Sequence, residues 1–575
     1  MIIKNHISWN NNYENDGILY FAQRIVEMLD YRTIDLYRVP LSNTPSLIKE
    51  YINVYRGAAK AYNLEQIYHE FVRCYETDII LQEKFGDAHI AQIIKKLNAS
   101  DNKIDIMQYL LNLIGSQYLG WCVEYLKVIV PQNRCKKKIE KAIRCFVPEL
   151  LHRGYKRDDI YQRAKENIIF GETPAIDFIN FIDYYDGNNK KFDVYFGLYK
   201  SLNAFEDILK KRMNIEKINK NKHKLDVWEN YFEFCKKDVA ALDASAAAGY
   251  VRAQVQLFTT FYQYLGDYGG NVIQKNALVV SSDGEEHNTI ILCDKYSSLE
   301  DSKPPEIGAL AENVITNLIN GSRGSFTKLL KIGELHNRAI SNNGLENGFL
   351  NLWSILEVIC VTDDSSKIIH VVNKLLPVME KNYLPSIVHD AVENLKHLLE
   401  KNEYQELINS IEEGETEEEK IAMFLLLPKY KEKFDDFVDI LINYPVLRSR
   451  LLNIHDDFYE NKKDFYNFSR QYIQRITWHL YRIYRVRNAI AHNGKNHLLL
   501  KDLGEHLHSY VDLIIDELVM TLCITSLSSI ENVFVDNELI LERITEKLRE
   551  SASFDELTIK LIFESERQIW GNVSR

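Results

Sequence analysis

Residues that break helices are scarce in this chain. Only 24 glycines and 11 prolines occur among its 575 residues. Because these two residues most disfavour the interior of a helix, their shortage favours long helices over many short strands. Apolar residues also recur at the i, i+3, i+4 and i+7 positions of amphipathic helices over 20–29, 45–62, 64–85 and 104–130. The sequence therefore predicts a mainly α protein.

One stretch departs from this helical pattern. Residues 276–282 and 289–293 have the composition of two short strands, and Asp283-Gly284 between them supplies the positive φ that a tight hairpin turn needs. We expect a small β-hairpin insertion near 275–293 and no other strand pair. The alanine-rich residues 238–250 instead predict a helix that lets a neighbour pack closely.

The length of the chain predicts more than one domain. A chain of 575 residues exceeds what a single hydrophobic core usually supports. Pro304-Pro305 can continue neither a helix nor a sheet, so it marks a linker. We predict a multi-helical sensing or regulatory region over 1–240, a connecting region with the β-hairpin over 241–306, and a helical bundle with a charged helical tail over 307–575.

The charge of the chain reverses its sign in one place. The formal net charge is -12, yet residues 465–501 contain no Asp or Glu. The cationic residues of this stretch are Arg470, Arg475, Arg482, Arg485, Arg487, Lys495 and Lys501. The stretch predicts a helix that starts near Ser469 and ends at Asn493-Gly494, which are residue types that close helices through a left-handed turn.

The end of this helix combines residues that suit RNA cleavage. Arg487 presents a planar, permanently charged guanidinium that matches a phosphate. His492 lies in the last turn, where the helix dipole favours the imidazolium and the neighbouring arginines oppose it, so its titration is expected near neutrality. A histidine can exchange a proton with the 2'-hydroxyl or the leaving 5'-oxygen while an arginine stabilises the charge on phosphorus. Arg487 and His492 are therefore the candidate catalytic residues, with Asn488 beside them.

Helix geometry limits this interpretation. Five residues at about 100° each place Arg487 and His492 roughly 140° apart on a regular helix, whereas Asn488 and His492 share a face. Three arrangements would bring the pair together: an unwound last turn at Asn493-Gly494, an arginine that reaches round the helix, or a two-fold dimer with two such pairs at one cleft.

These residues resemble the R-x4-6-H motif of the HEPN superfamily (higher eukaryotes and prokaryotes nucleotide-binding domains), with Arg487, Asn488 and His492 at the motif positions. The upstream Leu-Trp-Ser-Ile-Leu-Glu string within residues 350–359 is similar to an early helix of the ApeA-like HEPN group of bacterial anti-phage proteins. The resemblance covers about residues 310–550.

The resemblance implies a C-terminal HEPN-type helical bundle, a homodimer with a composite active site, and metal-independent RNA cleavage that leaves a 2',3'-cyclic phosphate. It implies a toxin of phage defence or abortive infection, with RNA (tRNA among the candidates) as substrate and a phage-derived trigger or an operon partner as activator. Arg487 and His492 would carry catalysis, Asn488 would support them, and Glu357 would orient them. We further assign Arg482, Arg485 and Lys495 to RNA binding.

Motifs for other chemistries are missing. The sequence has no G-x-S-x-G nucleophile elbow and no G-x-x-x-x-G-K-[ST] phosphate loop. His497, His506 and His508 have no interleaved cysteine or clear carboxylate partner, so we expect them on the surface. We expect no metal and no cofactor.

The compartment is inferred from the cysteines and from hydropathy. The eight cysteines form no C-x-x-C pair, which is typical of reduced, buried thiols. The first residues lack the apolar core of a signal peptide, and no window approaches the roughly 18 apolar residues of a membrane span. We therefore expect a cytoplasmic protein without membrane contact.

Two other functions remain open from the sequence. One is a non-catalytic HEPN protein whose arginines only contact phosphates or a protein partner. The other is a helical interaction scaffold, in which acids from elsewhere in the chain, such as those of residues 412–419, pair with the basic helix. The acids of residues 412–419 have a simpler role, however. Thr416 and Glu419 precede an apolar run and predict the start of a helix.

Overall fold

The protein is described by a computed structural model that covers residues 15–57, 61–100, 102–200, 206–218, 225, 229–266, 273–290, 296, 323–341, 344–361, 367–494, 497–524 and 529–564. Helices dominate these residues, and the strands form one small antiparallel sheet. The predicted mainly α class is confirmed.

The N-terminal part is a succession of helices. They are α1 (Asp16–Leu29), α2 (Thr44–Arg56), α3 (Ala61–Thr77), α4 (Ile79–Phe85), α5 (Asp87–Ala99), α6 (Lys103–Ile114), α7 (Tyr118–Ile129), α8 (Lys136–Arg153), α9 (Arg157–Arg163) and α10 (Pro174–Tyr184). Some predicted helices are split. Asp78 separates α3 from α4 because its carboxylate accepts the N–H groups of Ile80 and Leu81, at 3.1 and 3.2 Å, and so starts a new helix.

The middle of the chain forms a five-stranded sheet with the order β2-β3-β1-β4-β5. Its elements in chain order are β1 (Lys190–Tyr199), α11 (Glu206–Met213), β2 (Ile215–Lys217), β3 (Tyr231–Ala241), α12 (Ala244–Gly266), β4 (Ile273–Ser281) and β5 (Glu286–Ile290). The predicted hairpin is β4 and β5, and Gly284 in its turn has a φ of 91°. Residues 291–293, the predicted end of the second strand, lie outside the described residues.

The expectation of a single strand pair was wrong. β1 lies in the centre of the sheet and pairs with β3 on one side and β4 on the other. Residues 238–241 belong to β3 and not to a helix, since pairing with β1 outweighs the helix propensity of their alanines. The helix starts at Ala244, and its small side chains Ala247 and Ala248 are fully buried against the sheet, as their size predicted.

The C-terminal part is again helical. It consists of α13 (Arg323–Ser341), α14 (Leu345–Cys360), α15 (Lys367–Lys381), α16 (Tyr383–Leu398), α17 (Lys401–Asn409), α18 (Glu417–Leu426), α19 (Lys431–Val438), α20 (Pro445–Phe458), α21 (Lys462–Asn493), α22 (Leu500–Ile524), α23 (Ile530–Leu548) and α24 (Glu556–Ile562). Thr416 caps α18 by accepting the N–H of Glu419 at 3.1 Å. The helix start predicted for the acidic run is confirmed.

The largest hydrophobic core joins the two ends of the chain. It contains buried side chains from residues 18–185 together with others from 332–379 and 473–534. A second core joins residues 383–465 to 544–563. The three predicted parts stay a prediction, but the N-terminal and C-terminal helices share one interior and bury each other.

Tyr296 is a described residue of the connecting region and joins two C-terminal helices. Its hydroxyl donates to the carbonyl of Leu345 at 2.7 Å. A side chain at Gly348 or at Gly504 would collide with the Tyr296 ring, at 2.7 and 2.0 Å respectively. These two glycines therefore let one aromatic ring fit between α14 and α22.

Among the described helices, none combines the length and the apolar character that crossing a bilayer requires.

Candidate functional site

The predicted arginine helix is α21, which begins somewhat earlier than the sequence indicated. Asn461 caps its start by accepting the N–H of Lys463 at 3.2 Å. Gly494 ends it in the left-handed conformation, with a φ of 57°. The N–H of Gly494 donates to the carbonyls of Ala489 and Ile490, so the last turn remains wound.

Arg487 is held by an acid and an amide near this end. Its Nη2 lies 3.3 Å from Oε1 of Glu357, and its Nη1 donates to Oδ1 of Asn488 at 3.1 Å. The Arg487 side chain is 21% exposed, so the guanidinium is fixed and still reachable. Of the residues predicted for catalysis and support, the structure brings Arg487, Asn488 and Glu357 together.

Glu357 is itself fixed by two other donors. Nε1 of Trp353 donates to its Oε1 at 2.8 Å, and Nζ of Lys367 donates to its Oε2 at 3.1 Å. The buried Trp353 ring lies against Tyr484 of α21, with the ring centroids 5.4 Å apart. One turn of α14 therefore docks onto α21 through the indole and orients Arg487 through the carboxylate.

His492 is exposed on the last turn of α21. Within the described residues its imidazole makes no hydrogen bond and no ion pair. Because the helix stays regular through Asn493, Arg487 and His492 keep the roughly 140° separation of a regular helix. The unwound last turn is not observed, and the arginine reaches toward Glu357 instead, which leaves a second subunit as the arrangement that would unite the pair.

Arg482 and Arg485 do not face solvent as RNA-binding residues should. Nε of Arg482 lies 3.1 Å from Glu50 and its Nη2 lies 2.6 Å from Glu70, while Nε of Arg485 donates to Glu50 at 3.1 Å. The Arg482 side chain is only 6% exposed. A guanidinium that already neutralises buried carboxylates cannot bind phosphate without abandoning them. These two arginines therefore tie α21 to α2 and α3, and Lys495 lies outside the described residues.

The ion pairs with Arg482 and Arg485 change the pKa of Glu50. Burial alone would raise the pKa of its carboxyl, but Arg482 and Arg485 outweigh burial and lower the pKa from 4.5 to about 2. The carboxylate is thus ionised across the physiological range and matches the two fixed cations.

The remaining arginines of α21 also have acid partners, although not those of residues 412–419. Arg470 pairs with Glu380 at 2.9 Å, and Arg475 lies 3.9 Å from Asp35. The acids of the 412–419 run pair with cations outside α21, including Lys429, Lys396 and His389. Local sequence patterns could not indicate the true partners, because Glu50 and Glu70 precede Arg482 by more than 400 residues.

Two of the three histidines expected on the surface are buried. His506 is 4% and His508 is 1% exposed. Nδ1 of His506 lies 3.1 Å from Nε2 of His479. Burial, reinforced by Arg482, lowers the pKa of His479 from 6.5 to about 3. The expectation failed because α22 is covered by the segment between α1 and α2, where Asp35 accepts from Tyr510 at 2.8 Å, and by α13, where His336 lies 3.2 Å from His508.

A large cavity lies between the N-terminal helices and α20 to α22. Its volume is about 640 Å³. The arginines and lysines that line it outnumber the aspartates and glutamates by nine to five. The upstream half of α21 forms one wall, from Phe468 to Arg482.

Comparisons of this chain with protein-family models, with curated proteins and with solved structures give no significant match.

Proposed function

We propose that this protein is a metal-independent endoribonuclease of the HEPN type, acting in the cytoplasm as the toxin of bacterial anti-phage defence or abortive infection. The observation that carries the proposal is the end of α21. There a partly exposed arginine is fixed by Glu357 and Asn488, and an exposed histidine follows five residues later. The motif resemblance of these residues supports the same chemistry.

The roles follow from the chemistry of each side chain. The 2'-oxygen of RNA attacks the adjacent phosphorus, the bond to the 5'-oxygen breaks, and a 2',3'-cyclic phosphate and a 5'-hydroxyl result. The 2'-hydroxyl loses a proton and the 5'-oxygen gains one, which is work for His492. Arg487 stabilises the negative charge that develops on the phosphoryl oxygens. Asn488 and Glu357 keep its planar fork in place.

A homodimer makes this reaction complete. One histidine per chain can serve as the base or the acid, whereas two histidines across a two-fold axis can serve as both. The same axis would bring Arg487 of one copy near His492 of the other, which a regular helix prevents within one chain. RNA, with tRNA among the candidates, is the proposed substrate, and a phage-derived trigger or an operon partner is the proposed activator.

The experiment compares RNA cleavage by the purified wild-type chain and three variants, without added metal ions. We expect His492→Ala and Arg487→Ala to lose cleavage by about 100-fold or more, the usual effect of removing a general acid–base group or a charge stabiliser. Arg470→Ala is the matched control, since it removes a more exposed arginine of the same helix. The ends of the products are identified by mass spectrometry as 2',3'-cyclic phosphates.

Cleavage by His492→Ala at the wild-type rate would refute the proposal. So would wild-type products that lack the cyclic phosphate. Circular dichroism of each variant shows whether the helical fold persists, so that loss of activity is not confused with unfolding.

A second candidate is a helical interaction scaffold, and one observation favours it. Five arginines of α21 each lie near an acid from another element, so little of the basic charge of the helix is left for RNA. The scaffold predicts no cleavage and no salt-dependent RNA binding by the wild-type chain. Expression of wild type and of His492→Ala in cells, followed by mapping of RNA ends, separates it from the ribonuclease.

A further inference from the structure

Three ligand atoms converge where α13 meets α22. Nε2 of His336 lies 3.2 Å from Nε2 of His508 and 3.2 Å from Oδ1 of Asp512. Nε2 of His508 lies 3.5 Å from Oδ2 of Asp512. His508 and Asp512 are four residues apart and therefore share one face of α22, while His336 comes from α13.

These distances fit ligands of a common zinc ion, since the ligand atoms of the three residues all lie within 4.8 Å of one another and Nε2 of His336 lies 3.2 Å from each of its two partners. Nitrogen and oxygen ligands at 2.0–2.2 Å from Zn²⁺ lie about 3.3–3.5 Å from one another at tetrahedral angles. Nε2 of His336 lies at hydrogen-bond distance from both His508 and Asp512, but one ring nitrogen carries either a single proton or a single lone pair and cannot make both bonds at once. Two imidazoles and one carboxylate are also a usual protein ligand set of an open zinc site.

We propose that His336, His508 and Asp512 bind a divalent transition metal of the zinc class, with the fourth position open to water. The side chains of His336 and Asp512 are 20% and 17% exposed, which leaves a path for the ion, whereas His508 is buried at 1%. The site uses α13 and α22 and shares no residue with the Arg487 and His492 site.

The metal fastens α13 to the bundle. Two other polar ties of α13 run to the start of α23, where Ser325 accepts the N–H of Ile530 at 3.2 Å and Lys328 pairs with Glu531 at 2.7 Å. The three-residue site adds a tie to α22 near the middle of the helix. Since α13 packs along α14, the ion also restrains the helix that carries Glu357.

The test uses the full chain after dialysis against a chelator, titrated with Zn²⁺ in competition with a chromophoric chelator. We expect one ion per wild-type chain and a rise in Tm on its addition, because an ion that binds only the folded state stabilises it. Co²⁺ in its place should give the intense visible absorption of a tetrahedral centre. Loss of one ligand should weaken binding by at least the roughly 10- to 100-fold that loss of an outer-shell partner costs.

The variants are His336→Ala and Asp512→Asn, both at partly exposed positions, and circular dichroism of each checks that the helical fold persists. The control is His389→Ala, which removes an exposed imidazole that faces the single carboxylate of Glu418 at 3.4 Å. Equal zinc affinity in wild type and in His336→Ala, or no zinc binding by the wild-type chain, would overturn the proposal. The trio would then be a hydrogen-bonded network. Loss of RNA cleavage plays no part in this readout, so the two proposals fail separately.

The basic cavity carries a second, independent inference. Two of its buried polar atoms, Nε1 of Trp478 and Nε2 of His506, have no hydrogen-bond partner in the described protein. Arg475 lies 3.9 Å from Asp35, too far for a hydrogen bond, and Lys141 makes no ion pair within the described residues. An unpaired indole donor, an unpaired imidazole nitrogen and two cations without a close carboxylate, around a space of this size, suit an anionic ligand.

We infer that this cavity binds a phosphate-bearing anion of the nucleotide class. Arg475, which pairs only loosely with Asp35 at 3.9 Å, and the exposed Lys141 are the cations that would bind the phosphate groups. Tyr472 and Trp478 supply aromatic surface for a base. The volume of about 640 Å³ lies within the usual range of ligand pockets.

Calorimetric titration with ATP and with inorganic pyrophosphate tests this inference. We expect ATP to bind, and Arg475→Gln or Lys141→Gln to weaken it about tenfold or more, as loss of a charged hydrogen bond does. Lys431→Gln is the control, since that lysine is exposed and lies outside the cavity. No binding of ATP, unchanged binding by Arg475→Gln, or pyrophosphate binding as tight as that of ATP would each overturn the nucleotide assignment.

Discussion

Arg487 owes its position to one carboxylate that three donors share. Glu357 accepts from Trp353 and Lys367 and pairs with Arg487, so its charge is distributed over two cations and one indole. The sequence predicted Arg487, Asn488 and Glu357 as site residues, because the first two belong to the R-x4-6-H pattern and Glu357 belongs to the Leu-Trp-Ser-Ile-Leu-Glu string. The contact between Arg487 and Glu357 could not be predicted, since it depends on how α14 packs against α21.

A double-mutant cycle tests whether Glu357 acts through Arg487. Glu357→Gln keeps the size of the side chain and removes its charge, so we expect kcat for RNA cleavage to fall about tenfold with KM nearly unchanged. In the Arg487→Ala background the same change should have almost no effect, because the residue that Glu357 positions is gone. Additive losses in the double variant would mean that Glu357 does not position Arg487.

At the scale of elements, α21 is a basic helix inserted among acidic neighbours. The periodicity of its apolar residues predicted the helix and its glycine end, since these are local properties. The acids that neutralise it lie on α2, α3, α14 and α15. Local patterns carry no information about such partners, and for the same reason they assigned residues 238–241, the end of β3, to the alanine-rich helix that follows.

Two arginines of this helix should contribute very differently to stability. Arg482→Ala leaves Glu50 and Glu70 without their shared partner, and we expect the free energy of unfolding to fall by about 3–5 kcal/mol. Arg470→Ala breaks a pair whose guanidinium is 56% exposed and which involves a single carboxylate, Glu380, so we expect a smaller loss than for Arg482→Ala. Urea unfolding followed by circular dichroism measures both. Equal losses would show that the Glu50 and Glu70 contacts are not formed in solution.

The lowered pKa of Glu50 also predicts a pH dependence. Its folded pKa of about 2 lies below the ordinary 4.5, so its contribution to stability is complete above pH 4.5 and is lost as the pH falls toward 2. The wild-type free energy of unfolding should therefore decline more steeply over that range than that of Glu50→Gln, which cannot take up the proton. Parallel pH profiles for the two chains would exclude the predicted shift.

At the scale of the whole molecule, the N-terminal and C-terminal helices form one interior. The sequence predicted a division near residues 240 and 306 from length and composition. The shared core was not predictable, because its contacts join residues that are hundreds of positions apart. Arg157 pairing with Asp502 and Arg38 donating to Ser509 add polar ties across the same boundary.

This shared interior predicts how fragments behave. The chain beginning at residue 307 lacks the helices that cover α21 and α22, so we expect it to aggregate or to remain partly unfolded when it is expressed alone. The full chain should unfold the shared core in one transition by calorimetry. A stable, monomeric fragment 307–575 with a sharp transition of its own would show that the N-terminal helices are dispensable for folding.

The shared core also delays the completion of folding during biosynthesis. Helix α1 is buried along nearly its whole length and is translated before its distant core partners, which extend to residue 534. At a translation rate of about 5–20 residues per second, the interval from residue 185 to residue 534 takes roughly 20–70 s. During that time the nascent helices expose apolar surface on the ribosome, where chaperones can bind it. Arg487 and His492 are translated near the end of this interval, so the proposed toxin cannot assemble its active end until long after the N-terminal helices have been made.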